Sequence, residues 1–117
     1  MPYLLIDRHG YHESVNLPNE NLLNSLYSEL RCSLIEIAPT LYRGYILIID
    51  EEGKLSPYAV FSRNRYADVL YRYSELNGYD DWIAGDAILA KSLNGDVLPL
   101  TQEEIIRFRR EIDEGVE

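Results

Sequence analysis

The apolar and polar positions divide the chain into stretches of two different periods. Residues 3–7 (YLLID) form an apolar run that stops at Arg8-His9-Gly10, and residues 11–17 (YHESVNL) follow it. A glycine at the join supplies the positive φ of a tight turn, so an opening β-hairpin is predicted, broken at Pro18. From Asn19 to Arg31 the period lengthens. Leu22, Leu23, Leu26, Tyr27 and Leu30 share one stripe, with Asn24, Ser25, Ser28 and Glu29 opposite, as in an amphipathic helix with one buried face. Residues 33–38 (SLIEIA) read as a strand stopped at Pro39. Residues 42–50 (YRGYILIID) carry the strongest strand signal, β-branched and apolar at the centre, as expected of a strand buried on both faces. After the turn Glu51-Glu52-Gly53-Lys54, Leu55 to Phe61 is expected to return antiparallel, with Pro57 tolerable at a sheet edge.

A second helix is predicted over 65–76, capped by Ser62 or Asn64, with Tyr66, Val69, Leu70 and Tyr73 on one face. Asp68 and Arg72 are spaced as an i,i+4 acid–base pair, and Asn77-Gly78 ends the helix in the left-handed way. Residues 82–91 (WIAGDAILAK) read as a strand, turning at Asn94-Gly95 into Asp96-Val97-Leu98. Thr101 and Glu104 have the spacing of a capping box, and Leu100 and Ile105 that of a hydrophobic staple. The helix they open, about 102–114, is expected to bury Ile105, Phe108 and Ile112, with Ile106 a further candidate, and Gly115 is expected to terminate it. The predicted class is α+β: a mostly antiparallel sheet built from hairpins, with about three helices packed on one face.

Length adds that 1–117 is a single domain, since roughly 100–200 residues per domain is usual. No apolar run approaches the roughly 18 residues of a membrane helix, and the N-terminus lacks a basic stretch followed by an apolar one. A cytoplasmic protein with no membrane partner is expected. One cysteine excludes a disulfide framework and suits a reducing compartment.

Charge changes the picture more. Twenty acids against eleven bases leave a net charge of −9. Such a field repels phosphates, which disfavours direct nucleic acid binding. It serves solubility, or it presents a phosphate-like surface to a basic groove of another protein. Nine of the bases are arginines and ten residues are tyrosines, a pairing enriched at protein interfaces but equally suited to a core rim.

Few constellations suggest catalysis. His9 and His12 flank a turn and would need further ligands to hold zinc. Cys32, at a helix end, reads as a small core residue. Asp50, Glu51 and Glu52 look like paired carboxylates, but the adjacent Gly53-Lys54 makes them an exposed turn. Asp80-Asp81 before Trp82 is too sparse for a calcium loop. No cofactor, metal site or catalytic set is expected. Arg63-Asn64-Arg65-Tyr66, continued by Tyr71-Arg72-Tyr73, is the one basic–aromatic stretch. It either anchors a partner or turns its tyrosines to the sheet and pairs its arginines with Asp68 and Glu75.

Several segments in order resemble a known family: an opening strand pair, an amphipathic helix, Arg43-Gly44-Tyr45-Ile46, Asp50-Glu51-Glu52-Gly53-Lys54-Leu55, Asn64-Arg65, Trp82-Ile83-Ala84-Gly85-Asp86-Ala87-Ile88-Leu89 and Leu100-Thr101-Gln102-Glu103-Glu104-Ile105. The chain resembles the family called domain of unknown function 3846, found on plasmids and phages of Gram-positive bacteria, often near anti-restriction genes. The resemblance spans nearly the whole chain and departs at the longer tyrosine-rich helix, 65–76. It implies a mobile-element origin and transfers no catalytic residue. The expected function is a non-catalytic interaction protein, an anti-CRISPR or anti-restriction type of inhibitor whose partner is a host DNA- or RNA-binding defence nuclease. The alternatives are a small ligand- or nucleic-acid-binding module using the helix 63–73, and an enzyme with an unrecognised site. The partner-binding candidates are Glu51, Glu52, Asp80 and Asp81 among the acids, and Arg65, Tyr71, Arg72 and Tyr73 on the helix.

Overall fold

In the computed structural model, which describes residues 1–116, the named strands all pair antiparallel in one six-stranded sheet. The opening hairpin is β1 (Pro2–Ile6) and β2 (His12–Asn16), with Gly10 at φ +99° in its turn, as the sequence predicts. Helix α1 (Leu22–Leu30) follows, then β3 (Ile35–Pro39) and β4 (Tyr45–Asp50). Helix α2 (Arg65–Leu70) precedes β5 (Ala87–Leu93), β6 (Asp96–Leu98) and α3 (Gln102–Gly115). The strand order is β2-β1-β5-β4-β3. β6 occupies the same edge of β5 as β1 does, further along, with Lys91 to Leu93 opposite Leu98 to Asp96.

Opposed residues in an antiparallel register share a face, and that alternation separates two cores. Leu4, Leu47 and Leu89 lie in one row, with Ile6, Ile49 and Ala87 in the next. Helices α2 and α3 cover this face with Leu70, Ile105, Phe108 and Ile112, all almost wholly buried. Tyr3, Ile48, Ile88 and Ala90 point the other way and meet Leu26 and Leu30 of α1. Each buried Leu, Ile or Phe among them contributes roughly 1.5–3 kcal/mol on leaving water. The α+β class holds, but the helices pack on both faces of the sheet, not one. β4 and β5 are apolar at successive positions, so both their faces need covering.

Three further expectations are corrected. Leu55 to Phe61 is not a strand: it is a loop with a 3₁₀ turn at Ala59–Ser62. Both edges of β4 are already taken, by β3 and β5, so a strand returning from the 51–54 turn has no edge to join. The second helix stops at Leu70. Beyond it the chain pairs with the end of β3: the Leu41 N–H donates to the Leu70 carbonyl and the Arg72 N–H to the Pro39 carbonyl, at 2.9 and 3.0 Å. The long tyrosine-rich helix is therefore a short helix followed by a turn-rich segment. Residues 82–86 lie outside β5, held by the isolated bridge of Ala84 to Arg63.

Candidate functional site

The sheet topology brings acidic chain ends together. β1, β4 and β5 all reach the same end of the sheet, because Ile6 and Ile49 both stand opposite Ala87. Just beyond that row lie Asp7, Asp50 and Asp86, and the start of β3 adds Glu36, opposite Ile49. The Asp50 carboxylate caps the turn that follows, accepting the Glu52 N–H at 2.9 Å, while the Gly53 N–H donates to the Asp50 carbonyl. The Glu51 N–H donates to the Leu34 carbonyl and pins the turn beside the entry to β3. Gly53 favours close approach: a Cβ there would lie 3.2 Å from the Ala84 carbonyl oxygen, so a side chain would push the Ala84 backbone away by a few tenths of an ångström.

This turn closes one wall of a cleft of about 220 Å³ lined by Glu36, Asp50, Glu51 and Asp81 together with Lys54 and Trp82. Asp81 organises its far side. Its carboxylate accepts the Trp82 N–H at 2.8 Å and the Tyr71 hydroxyl at 2.6 Å, and pairs with the Lys54 ammonium. Partial burial works against the Asp81 charge, but Lys54, Tyr71 and the Trp82 N–H outweigh it and hold the carboxyl below its usual range. Burial, followed by the bond to Asp81, pushes the Tyr71 hydroxyl well above its usual value. Lys54 also lies 4.5 Å from the Trp82 ring centroid, a cation–π contact.

Behind the cleft, Asp68 is fully buried. It accepts the Ile83 N–H at 2.7 Å and the Arg63 Nε at 3.2 Å, and Arg63 reaches on to Glu75 at 3.1 Å. Burial pushes the Asp68 carboxyl up, opposed by those donors. The expected pairing of this stretch's arginines with Asp68 and Glu75 is thus met by Arg63. The Asp68–Arg72 pair does not form: the Arg72 Nε donates to the Thr40 carbonyl at 3.1 Å. Asn64 is the α2 cap, its side chain accepting the Ala67 N–H at 2.9 Å. A second groove of about 480 Å³ adjoins the cleft, sharing Asp50 and Gly53 and adding Asp7, Asp86, Arg8 and His9.

Of the residues singled out from the sequence, the structure gathers Glu51, Tyr71 and Asp81 around one cleft. Glu52 and Asp80 are exposed beside it in sequence but do not line it. Tyr71 is buried and presents little surface. Tyr73 packs edge-on against Tyr71 and Tyr79, and Arg65 is exposed at the first turn of α2. Sequence reasoning missed Asp7, Glu36 and Asp86 as members of an acidic end. Their signal is positional: each sits at a strand end, and only the register shows that the ends coincide. His12 opens β2 opposite Ile6 at the same end of the sheet, but its ring is held on α3, by Asp113 at 2.8 Å and Arg109 at 3.1 Å, and does not line the cleft. Among the described residues no group of three or more His, Cys, Asp or Glu side chains could hold a metal ion. No helix there is long and apolar enough to cross a membrane.

Fold and site together define a small α+β domain, one antiparallel sheet covered by helices on both faces, with carboxylates collected at one sheet end. The family model described as "Domain of unknown function (DUF3846)" matches residues 1–113, and the chain belongs to that family. No curated protein and no solved structure matches it.

Proposed function

We propose that this protein acts by binding rather than catalysis, docking its acidic sheet end on the basic surface of a host protein that handles nucleic acid. The carrying observation is the convergence of Asp7, Glu36, Asp50, Glu51, Asp81 and Asp86 at one end of the sheet. A groove built for phosphates spaced along a backbone also accepts carboxylates on a rigid frame. The net charge of −9 lengthens the reach of that attraction and keeps nucleic acid itself away. The setting is the bacterial cytoplasm, on a plasmid or phage, and the partner is a defence nuclease of the CRISPR or restriction kind. The basic–aromatic stretch 63–73 supports a ligand-binding reading less well. Arg63 is engaged by Asp68 and Glu75, Arg72 by Thr40, and Tyr71 by Asp81.

The test uses the immobilised protein and a nuclease-treated lysate of a Gram-positive host. The captured protein should bind nucleic acid when purified. Short duplex DNA should displace it, as should salt raised from about 50 to about 500 mM, which screens exposed charges. The reversal Glu36→Lys, Glu51→Lys, Glu52→Lys should slow association more than it speeds dissociation. A flat salt response, or capture indifferent to DNA, sinks the reading.

A further inference from the structure

The loop that follows the acidic turn exposes more apolar surface than a solvated loop needs. Leu55, Tyr58, Val60 and Phe61 are 74%, 71%, 57% and 82% exposed, within seven residues of chain. Scattered exposed apolar residues need no explanation, whereas a contiguous group marks an interaction site. The loop is also shaped. The Ser56 hydroxyl accepts the Tyr58 N–H at 3.1 Å, the Tyr58 carbonyl accepts the Phe61 N–H at 3.0 Å, and the two rings stack at 6.5 Å. Ala59 is buried beneath it, and the Ser62 carbonyl accepts the Gly85 N–H at 2.7 Å. A loop held this way loses little freedom on binding, and aromatic anchors of this kind carry most of an interface's energy.

We infer that this loop is a plug for an apolar pocket rimmed by lysine or arginine on the partner protein. The inference rests on the proposed function for the partner's charge and adds where the tight contact is made. Charge decides between occupants. Glu51 and Glu52 stand four and three residues ahead of Leu55, while the cations adjoining the loop are already paired, Lys54 with Asp81 and Arg63 with Asp68 and Glu75. Against a second copy, a two-fold contact would bring those like charges together. Against an anionic bilayer, the same acids are repelled. A pocket with a cationic rim satisfies both halves of the surface at once, apolar tip and acidic shoulder.

The experiment places p-benzoyl-phenylalanine at position 61 and irradiates the protein with the captured and purified partner. The cross-linked partner peptide should be apolar with lysine or arginine flanking it. The double variant Tyr58→Ser, Phe61→Ser should keep the wild-type thermal midpoint and dissociate at least about tenfold faster at every salt concentration. Glu51→Lys, Glu52→Lys should instead slow association at low salt. A cross-link to another copy, co-flotation of the protein with phosphatidylserine vesicles, or a cross-linked peptide without cations overturns the plug. So does a double variant that dissociates like wild type while DNA still displaces the partner; acidic docking then stands alone. Failure to capture any nucleic-acid-binding protein overturns both.

Discussion

Asp68 has no contact with solvent and two donors to satisfy, the Ile83 N–H and Arg63. Removing one member of a buried pair leaves the other stranded, typically at about 3–5 kcal/mol, whereas an exposed pair contributes about 0–1 kcal/mol. Asp68→Ala should therefore cost about 3–5 kcal/mol in chemical denaturation. Glu75→Ala, which removes the half-exposed acid on the same arginine, should cost less than about 1 kcal/mol. Comparable losses would mean that Asp68 is not the anchor joining α2 to residues 82–84. The sequence shows Asp68 as an acid four residues before Arg72 and a partner for the arginines of its own stretch. Its burial was not legible, because it depends on the chain leaving the helix after Leu70 and carrying Arg72 away to Thr40.

At the scale of elements, local signals that complete themselves within a few residues were readable. The capping box is the clearest: the Thr101 hydroxyl accepts the Glu104 N–H at 3.2 Å, the Thr101 N–H donates to the Glu104 carboxylate at 2.7 Å, and Leu100 and Ile105 are both buried. Thr101→Ala should cost about 1 kcal/mol, read from denaturant midpoints, and leave partner binding unchanged once the variant is folded. Glu104 does more than cap. Partial burial opposes its charge, but Lys91, the Tyr45 hydroxyl and Thr101 outweigh it, and its carboxyl sits at about 2 against an ordinary 4.5. Between those values the unfolded chain takes up a proton that the folded chain refuses, so this group's stabilisation is lost as pH falls from about 4.5 to about 2. Melting curves of wild type and Glu104→Gln should converge over that window; a constant gap would mean the carboxylate is not ionised by these partners. The loop at 55–61 shows the opposite case. Its apolar residues suit a strand locally, and what forbids one is the occupancy of both edges of β4, a fact of topology.

For the whole molecule, the acidic excess was legible, while the gathering of strand ends into one acidic pole required the register. The chain should fold without metal or disulfide: EDTA and reductant should leave the thermal midpoint in place, since Cys32 has no partner cysteine in the sequence. A fall of more than about 4 °C with EDTA, equivalent to roughly 1 kcal/mol for a domain near this size, would reopen the case for His9 and His12.

β4 and β5 form a party wall between the two cores. Leu47 and Leu89 face α3 while Ile48 and Ile88, one residue along, face α1. Loosening either layer disturbs the backbone from which the other hangs, so the layers unfold as one cooperative unit. A fluorophore on the half-buried Cys32, at the end of α1, and the emission of Trp82, on the opposite face, report from the two sides of the wall. Both signals should change at the same denaturant concentration; separate transitions would show α1 peeling away while the other layer stands.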